Sequence, residues 1–266
     1  MYNENNNVLL AGSKDDNYAT VIDANTLQNL YSVTPENFNN NSLNNVLPAI
    51  IDNKDAYIII FNDNRKAYLY YVFADELTAN VRAGVTRHDL MTLTSETNTQ
   101  YTFGVSADKK KIFVSQASIE KKSKGTVTNY SSGSRYYQYN ENVYSYDLTK
   151  QTKEPIYHDS SEQQENNYKI TSIVEANGAI YFSRDNNLFE CSNTNSNYTC
   201  QNVATVKFAN QIEFLKYDYL SGLLFMGSGT GKVGGSLKAL NLQSKELTVI
   251  MDNKYHGIYD VVSLVH

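Results

Sequence analysis

The segment Gly227-Ser228-Gly229-Thr230-Gly231-Lys232 has the residue types of a phosphate-cradling loop, with glycines that admit an anion and a lysine to meet its charge. Its spacing defeats that reading. The motif needs glycine where Met226 stands, and Ser or Thr where Val233 follows the lysine. Ser236–Leu240 then alternates as a strand, so no helix N-terminus is at hand for a phosphate. The four histidines, His88, His158, His256 and His266, form no HxH or HxxxH pair. His88-Asp89 and His158-Asp159 are chain neighbours, whose side chains leave a strand on opposite faces, and they read as surface pairs. No GxSxG nucleophile element is present. No catalytic residue, metal or cofactor is expected from these signals.

Cys191 and Cys200 are the next residues with chemistry to offer. They bracket a polar octapeptide between two strand-like runs, Asn187–Glu190 and Gln201–Val206, so a hairpin would bring the two thiols within disulfide reach. A zinc site would need further Cys or His ligands close by in sequence, and there are none. A disulfide implies an oxidising compartment, periplasmic or extracellular. Two unpaired thiols would leave the cytoplasm open. No signal peptide precedes the apolar Val8-Leu9-Leu10, which fits a cytosolic chain or one numbered after a removed leader.

Composition points to strands. There are 22 Tyr and no Trp, β-branched residues dominate the apolar runs, and Asn clusters such as Asn39-Asn40-Asn41 punctuate them. The net charge is −5, with Lys and Arg dispersed. A nucleic-acid binder should carry a concentrated basic footprint, and the nearest candidate, Lys121, Lys122, Lys124 and Arg135, reads as a solvated loop. No apolar run approaches the ~20 residues that span a bilayer.

A unit of two apolar strands around a tight polar turn recurs along the chain. Its copies are Val46–Ile51 with Ala56–Phe61, Tyr101–Ser106 with Lys111–Ser115, Ile170–Val174 with Ala179–Ser183, and Ile212–Tyr217 with Gly222–Gly227. A third strand ending in a small polar residue and a turn follows, as at Asp23, Asp75, Asp147, Cys191 and Asn241. The fourth strands are Asn29–Val33, Asn80–Val85, Glu154–His158, Gln201–Val206 and Glu246–Met251. Spacings of roughly 45–70 residues match four-stranded propeller blades. Val105–Ser115 resembles the first hairpin of YVTN- and WD40-type propeller repeats, and Val21–Thr26 resembles their third strand and turn. The Trp-Asp and Gly-His signatures are missing, so the resemblance implies architecture alone. It implies an all-β, five-bladed propeller forming one domain over 1–266. The C-terminal Ile258–Val265 would supply the first strand, beside Val8–Ser13, that closes the ring. A β-sandwich, or a propeller of six or seven blades, is the alternative.

In such a blade the longer connections share one face. Here they are 35–45, 87–100, 117–140, 160–167 and 228–235. Long loops on a rigid scaffold are where binding usually resides. The longest is rich in interface-type residues, Tyr130, Arg135, Tyr136, Tyr137 and Tyr139, though it could equally form two strands of a protruding hairpin. The expectation is a non-catalytic module that binds a protein partner through this face. Carbohydrate binding through Tyr-lined pockets is the second reading. Glycoside hydrolysis is the third, resting on the inner-strand carboxylates Glu213 and Asp260, since Asp52, Asp108, Glu175 and Asp218 fall at turns.

Overall fold

The computed structural model describes residues 2–3, 6–11, 19–33, 42–62, 65–77, 87–95, 99–123, 135–163, 169–194, 197–208, 211–228 and 235–253. The first sheet runs β1 (Tyr2–Asn3), β2 (Val8–Ala11), β3 (Ala19–Asp23), β4 (Asn29–Val33). The second runs β5 (Ser42–Ile51), β6 (Lys54–Asn62), β7 (Lys66–Phe73), β8 (His88–Thr94), and the third β9 (Thr99–Val105), β10 (Lys111–Ser123), β11 (Arg135–Asp147), β12 (Thr152–Gln163). The fourth contains β13 (Ile170–Ala176), β14 (Ala179–Arg184), β15 (Asn187–Thr194) and β16 (Asn197–Thr205). The fifth contains β17 (Phe214–Asp218), β18 (Leu223–Ser228), β19 (Gly235–Asn241) and β20 (Leu247–Asn253). Each is an antiparallel meander in chain order, and the fold is a five-bladed β-propeller.

The chain divides into two compact units. Unit 1 holds the first two sheets with 108–112 and 147–152, and unit 2 holds most of the third sheet with the fourth and fifth. Within unit 1, Val8, Leu10 and Val21 pack with Ile59, Phe61 and Val72. Within unit 2, one cluster gathers Phe113, Val143, Ile156, Ile173 and Phe182, and another gathers Leu188, Ile212, Leu224, Met226 and Leu240.

The tight turns follow from their residues. Asp52-Asn53 and Asn177-Gly178 join β5 to β6 and β13 to β14 with positive φ at both central positions, which Asn, Asp and Gly tolerate best. Asp23, Asp147 and Asn241 each end a third strand and build one turn three times. The side-chain oxygen accepts from the backbone N–H groups two and three residues on, and the carbonyl accepts from the fourth. That fourth residue, Leu27, Gln151 or Lys245, has positive φ.

A second repeat involves the outer strands. In the first, second, fourth and fifth sheets the third-to-fourth strand register slips by one, leaving Leu30, Leu90, Val203 and Ile250 without a cross-strand partner. Such bulges add twist and spoil an outer edge as a template for further pairing.

Several strand assignments need correction. The fourth strand of the second blade is His88–Thr94, and Asn80–Val85 lies outside the described residues. The stretch 87–100 is therefore largely strand, with Leu90 and Met91 half-buried and Leu93 buried in β8. Cys191 does not end a third strand: β15 continues to Thr194. Within 117–140, β10 extends to Ser123 and β11 starts at Arg135. Beside Val8 and Leu9, the first-strand position is taken by Tyr2 and Asn3. Ile258–Val265 lies outside the described residues.

The repeated turn sets a pH dependence. Backbone N–H donation, from Lys150 foremost, holds the Asp147 carboxyl below its ordinary range, and Thr26 and Asn25 do the same to Asp23. A depressed folded-state pKa contributes stability above the unfolded value, and that contribution is lost as pH falls through the folded one. Asp147→Ala should destabilise the chain by about 1 kcal/mol at neutral pH in urea unfolding. The deficit should shrink towards pH ~3. Asp147→Asn, the residue used at 241, should keep most of the stability and flatten the pH dependence.

Candidate binding surface

Strand β11 alternates from Gln138 to Val143. Gln138, Asn140 and Asn142 face outward, while Tyr139, Glu141 and Val143 face inward and are buried. The outward row forms a side-chain ladder with β12. His158 Nδ1 lies 2.9 Å from Asn142 Oδ1, Ser160 Oγ donates to Asn140 Oδ1 at 2.7 Å, and Gln138 Nε2 donates to Ser160 Oγ at 3.1 Å. Of the residues assigned to the contact surface, Tyr139 is only 2% exposed, because its inward phase sends it into the core. It is not a surface anchor. Arg135, Tyr136 and Tyr137 open β11, so they belong to a strand rather than a loop; their side chains and Tyr130 lie outside the described residues.

The inward row carries a carboxylate where an aliphatic residue would be expected. Glu141, 2% exposed, accepts from Ser115 Oγ at 2.6 Å, from the backbone N–H of Ile170 at 2.9 Å and from Arg184 Nη2 at 2.6 Å. Arg184, 1% exposed, ends β14 in the neighbouring blade. Its Nη1 donates to Asp159 Oδ2 at 2.6 Å and to the Tyr157 hydroxyl at 3.2 Å, and its guanidinium lies 5.2 Å from the Tyr157 ring centre. Sequence reading missed both residues. The signal for Glu141 was its phase, two residues from Tyr139 and two from Val143.

Hydroxyls extend this stitching across unit 2. Thr102 Oγ1 donates to the Ile170 carbonyl at 2.8 Å, Thr171 Oγ1 donates to the Ile212 carbonyl at 2.5 Å, and Ser172 Oγ accepts from the Leu215 N–H at 3.0 Å. The bonds at Ile170 and Leu215 occupy backbone groups that β13 and β17, each the first strand of its sheet, would otherwise leave at an open edge, and the bond at Ile212 lies just ahead of β17. Gly104 permits the close approach, since a Cβ there would lie 2.4 Å from the Ile173 carbonyl oxygen. Gly227, from the rejected phosphate motif, has a packing role: a Cβ would collide with the Phe214 ring at 1.9 Å.

The turns of these blades interlock in turn. Glu175 Oε2 accepts from the Ala107 N–H at 2.8 Å, and the Tyr217 hydroxyl donates to Asn177 Oδ1 at 2.5 Å. Asp218 caps its own turn, bonding the Ser221 N–H and hydroxyl, while the Gly222 N–H donates to the Asp218 carbonyl. Held in this turn, Tyr219 is 61% and Leu220 72% exposed. The Tyr219 ring packs edge-on against Tyr217 at 4.8 Å, and its hydroxyl donates to the Glu175 carbonyl at 3.5 Å. Desolvation, with the charges of Glu175 and Tyr217 nearby, raises the Tyr219 hydroxyl pKa. Two large apolar residues in a turn whose other members are Asp, Ser and Gly were visible in the sequence. The expectation of binding on the longer connections passes over them.

The cysteines do form a disulfide. Cys191 and Cys200 are cross-strand partners in β15 and β16, and Cys191 is fully buried. Of the two mid-strand carboxylates, Glu213 lies immediately before β17, and Asp260 lies outside the described residues. Among the described residues no group of three or more His, Cys, Asp or Glu is placed to hold a metal, and no helix is long and apolar enough to cross a membrane.

No family model matches the chain, and no curated protein sequence matches it. Solved structures share its fold. One is a protein of unknown function from Bacteroides caccae, with TM-score 0.55 and 13% identity over 92% of this chain and 72% of that one. Another is an oligogalacturonate lyase in complex with manganese, with TM-score 0.56 and 12% identity over 95% of this chain. This chain spans 64% of the lyase, less than two thirds of its length. At these identities the likeness is one of fold alone.

The disulfide closes a short loop, and in the chain-entropy account it contributes about 2–3 kcal/mol. Cys191→Ala with Cys200→Ala should lower the urea midpoint accordingly. Reductant should shift the parent protein in the same way and leave the double variant unmoved.

Proposed function

We propose that the chain is a non-catalytic binding module that recognises a protein partner, with the β17–β18 turn as its anchor. The observation that carries this reading is the exposure of Tyr219 and Leu220 on a turn that is hydrogen-bonded at both its own ends and to the neighbouring blade. Binding hot spots favour a large aromatic with a polar tip beside an aliphatic residue, presented without an ordering cost. An oxidising compartment, periplasmic or extracellular, is the setting that preserves the Cys191–Cys200 bond. The β10–β11 extension with Arg135, Tyr136 and Tyr137 supplies a second contact region in the same unit.

Affinity capture from the source organism's surroundings, using immobilised parent protein, should retain a defined protein that Tyr219→Ala and Leu220→Ala each release. Loss of one anchor of this kind typically weakens binding about 30-fold or more. Shortening 121–138 should reduce capture less. If capture survives both turn substitutions and disappears with the shortened hairpin, the anchor assignment is wrong.

A further inference from the structure

We infer that unit 1 carries a second binding site, a pocket for a neutral sugar ring on the Tyr68 and Tyr70 face of β7 and β8, where Tyr70 borders the core. The one-residue bulge at Leu90 creates it. In β7, Tyr68 and Tyr70 project from the same face, and Thr92 sits opposite Tyr68. Continued regularly from the Leu69–Met91 pair, the register would place Leu90 opposite Tyr70 and turn Asp89 to the other face. The bulge instead pairs Tyr70 with Asp89 and brings the carboxylate onto the tyrosine face. Arg87 joins it, its guanidinium held 4.5 Å from the Tyr70 ring centre and its Nε 3.8 Å from Asp89 Oδ1. These side chains line a cavity of about 450 Å³. That is the low end of small-molecule sites and suits one or two sugar rings.

The chemistry selects the ligand class. A pyranose presents an apolar C–H face and a rim of hydroxyls, each both donor and acceptor. Tyr68 supplies a flat apolar surface, Arg87 donors and Asp89 acceptors, side by side as two neighbouring hydroxyls require. The Asp89 side chain is 82% exposed, while Arg87 is mostly buried and fixed by the Tyr70 ring. The opposed charges leave the pocket close to neutral, so an acidic ligand would meet the Asp89 carboxylate first. Among the four outer-strand bulges, only this one places a carboxylate beside the bulged residue with an arginine two positions before it.

The full chain should be screened against an array of neutral and acidic oligosaccharides, and the strongest neutral compound titrated calorimetrically. Binding to at least one neutral oligosaccharide is expected. Asp89→Ala and Tyr68→Ala should each weaken it about 10-fold or more, as loss of a hydrogen bond to a charged group or of a stacking surface does. Tyr68→Phe should stay within a few-fold of the parent, and Tyr219→Ala should not alter it, which separates this site from the protein-binding turn. Unfolding curves verify that each variant is folded. Absence of any neutral hit, hits confined to acidic sugars, or neutral binding that survives both alanine substitutions would overturn the assignment.

Discussion

A carboxylate buried in a protein interior is tolerable only while it is hydrogen-bonded and its charge is balanced. Glu141 meets that condition through three neighbours at once: the Ser115 hydroxyl, the Ile170 backbone and the Arg184 guanidinium. Because Ile170 and Arg184 belong to the next blade, the third and fourth blades cannot separate without stranding a buried charge. The guanidinium in turn ties Asp159 and Tyr157 to the same point. Replacing such a cluster with apolar residues can cost little, whereas removing one member costs a great deal. What it provides is one defined arrangement of these two blades.

The same logic extends to the fifth blade in a softer form. Thr102 and Ser172 bring hydroxyls to the edges of β13 and β17, Thr171 bonds the Ile212 carbonyl just ahead of β17, and Gly104 lets β9 come close to Ile173. The Tyr217 and Tyr219 hydroxyls then lock the β17–β18 turn onto the fourth blade. An exposed Leu220 at the end of this series of bonds is therefore a preorganised contact rather than a mobile one. Rigidity is what converts exposed apolar surface into affinity.

Much of the architecture was legible in the sequence. The apolar residues of Ile170–Val174 and the Asn177-Gly178 pair state a hairpin outright, and Asp23, Asp147 and Asn241 mark equivalent turns. The second blade's outer strand was misplaced because His88–Thr94 alternates poorly, and the reason is the Leu90 bulge, which breaks the period of two. The long connection 117–140 was read chiefly as loop because its polar residues, Gln138 and Asn140 among them, resemble loop composition. Strand identity there comes from a side-chain ladder with β12 that no local pattern announces. Tyr139 was assigned to the surface for its residue type, although its phase with Val143 places it inside. Glu141 and Arg184 lie 43 residues apart, and only the fold brings them together.

The dependence of unit 2 on its buried pair is open to a direct measurement, a double-mutant cycle of Glu141→Leu and Arg184→Met followed by urea unfolding. Arg184→Met should lose about 3–5 kcal/mol, having left Glu141 buried without a counter-charge, and Glu141→Leu less, because Asp159 still meets the guanidinium. The double variant should lose far less than the sum of the two. Additive losses of about 1 kcal/mol or less from each side would contradict the account, for the blades would then be held together by something other than this pair.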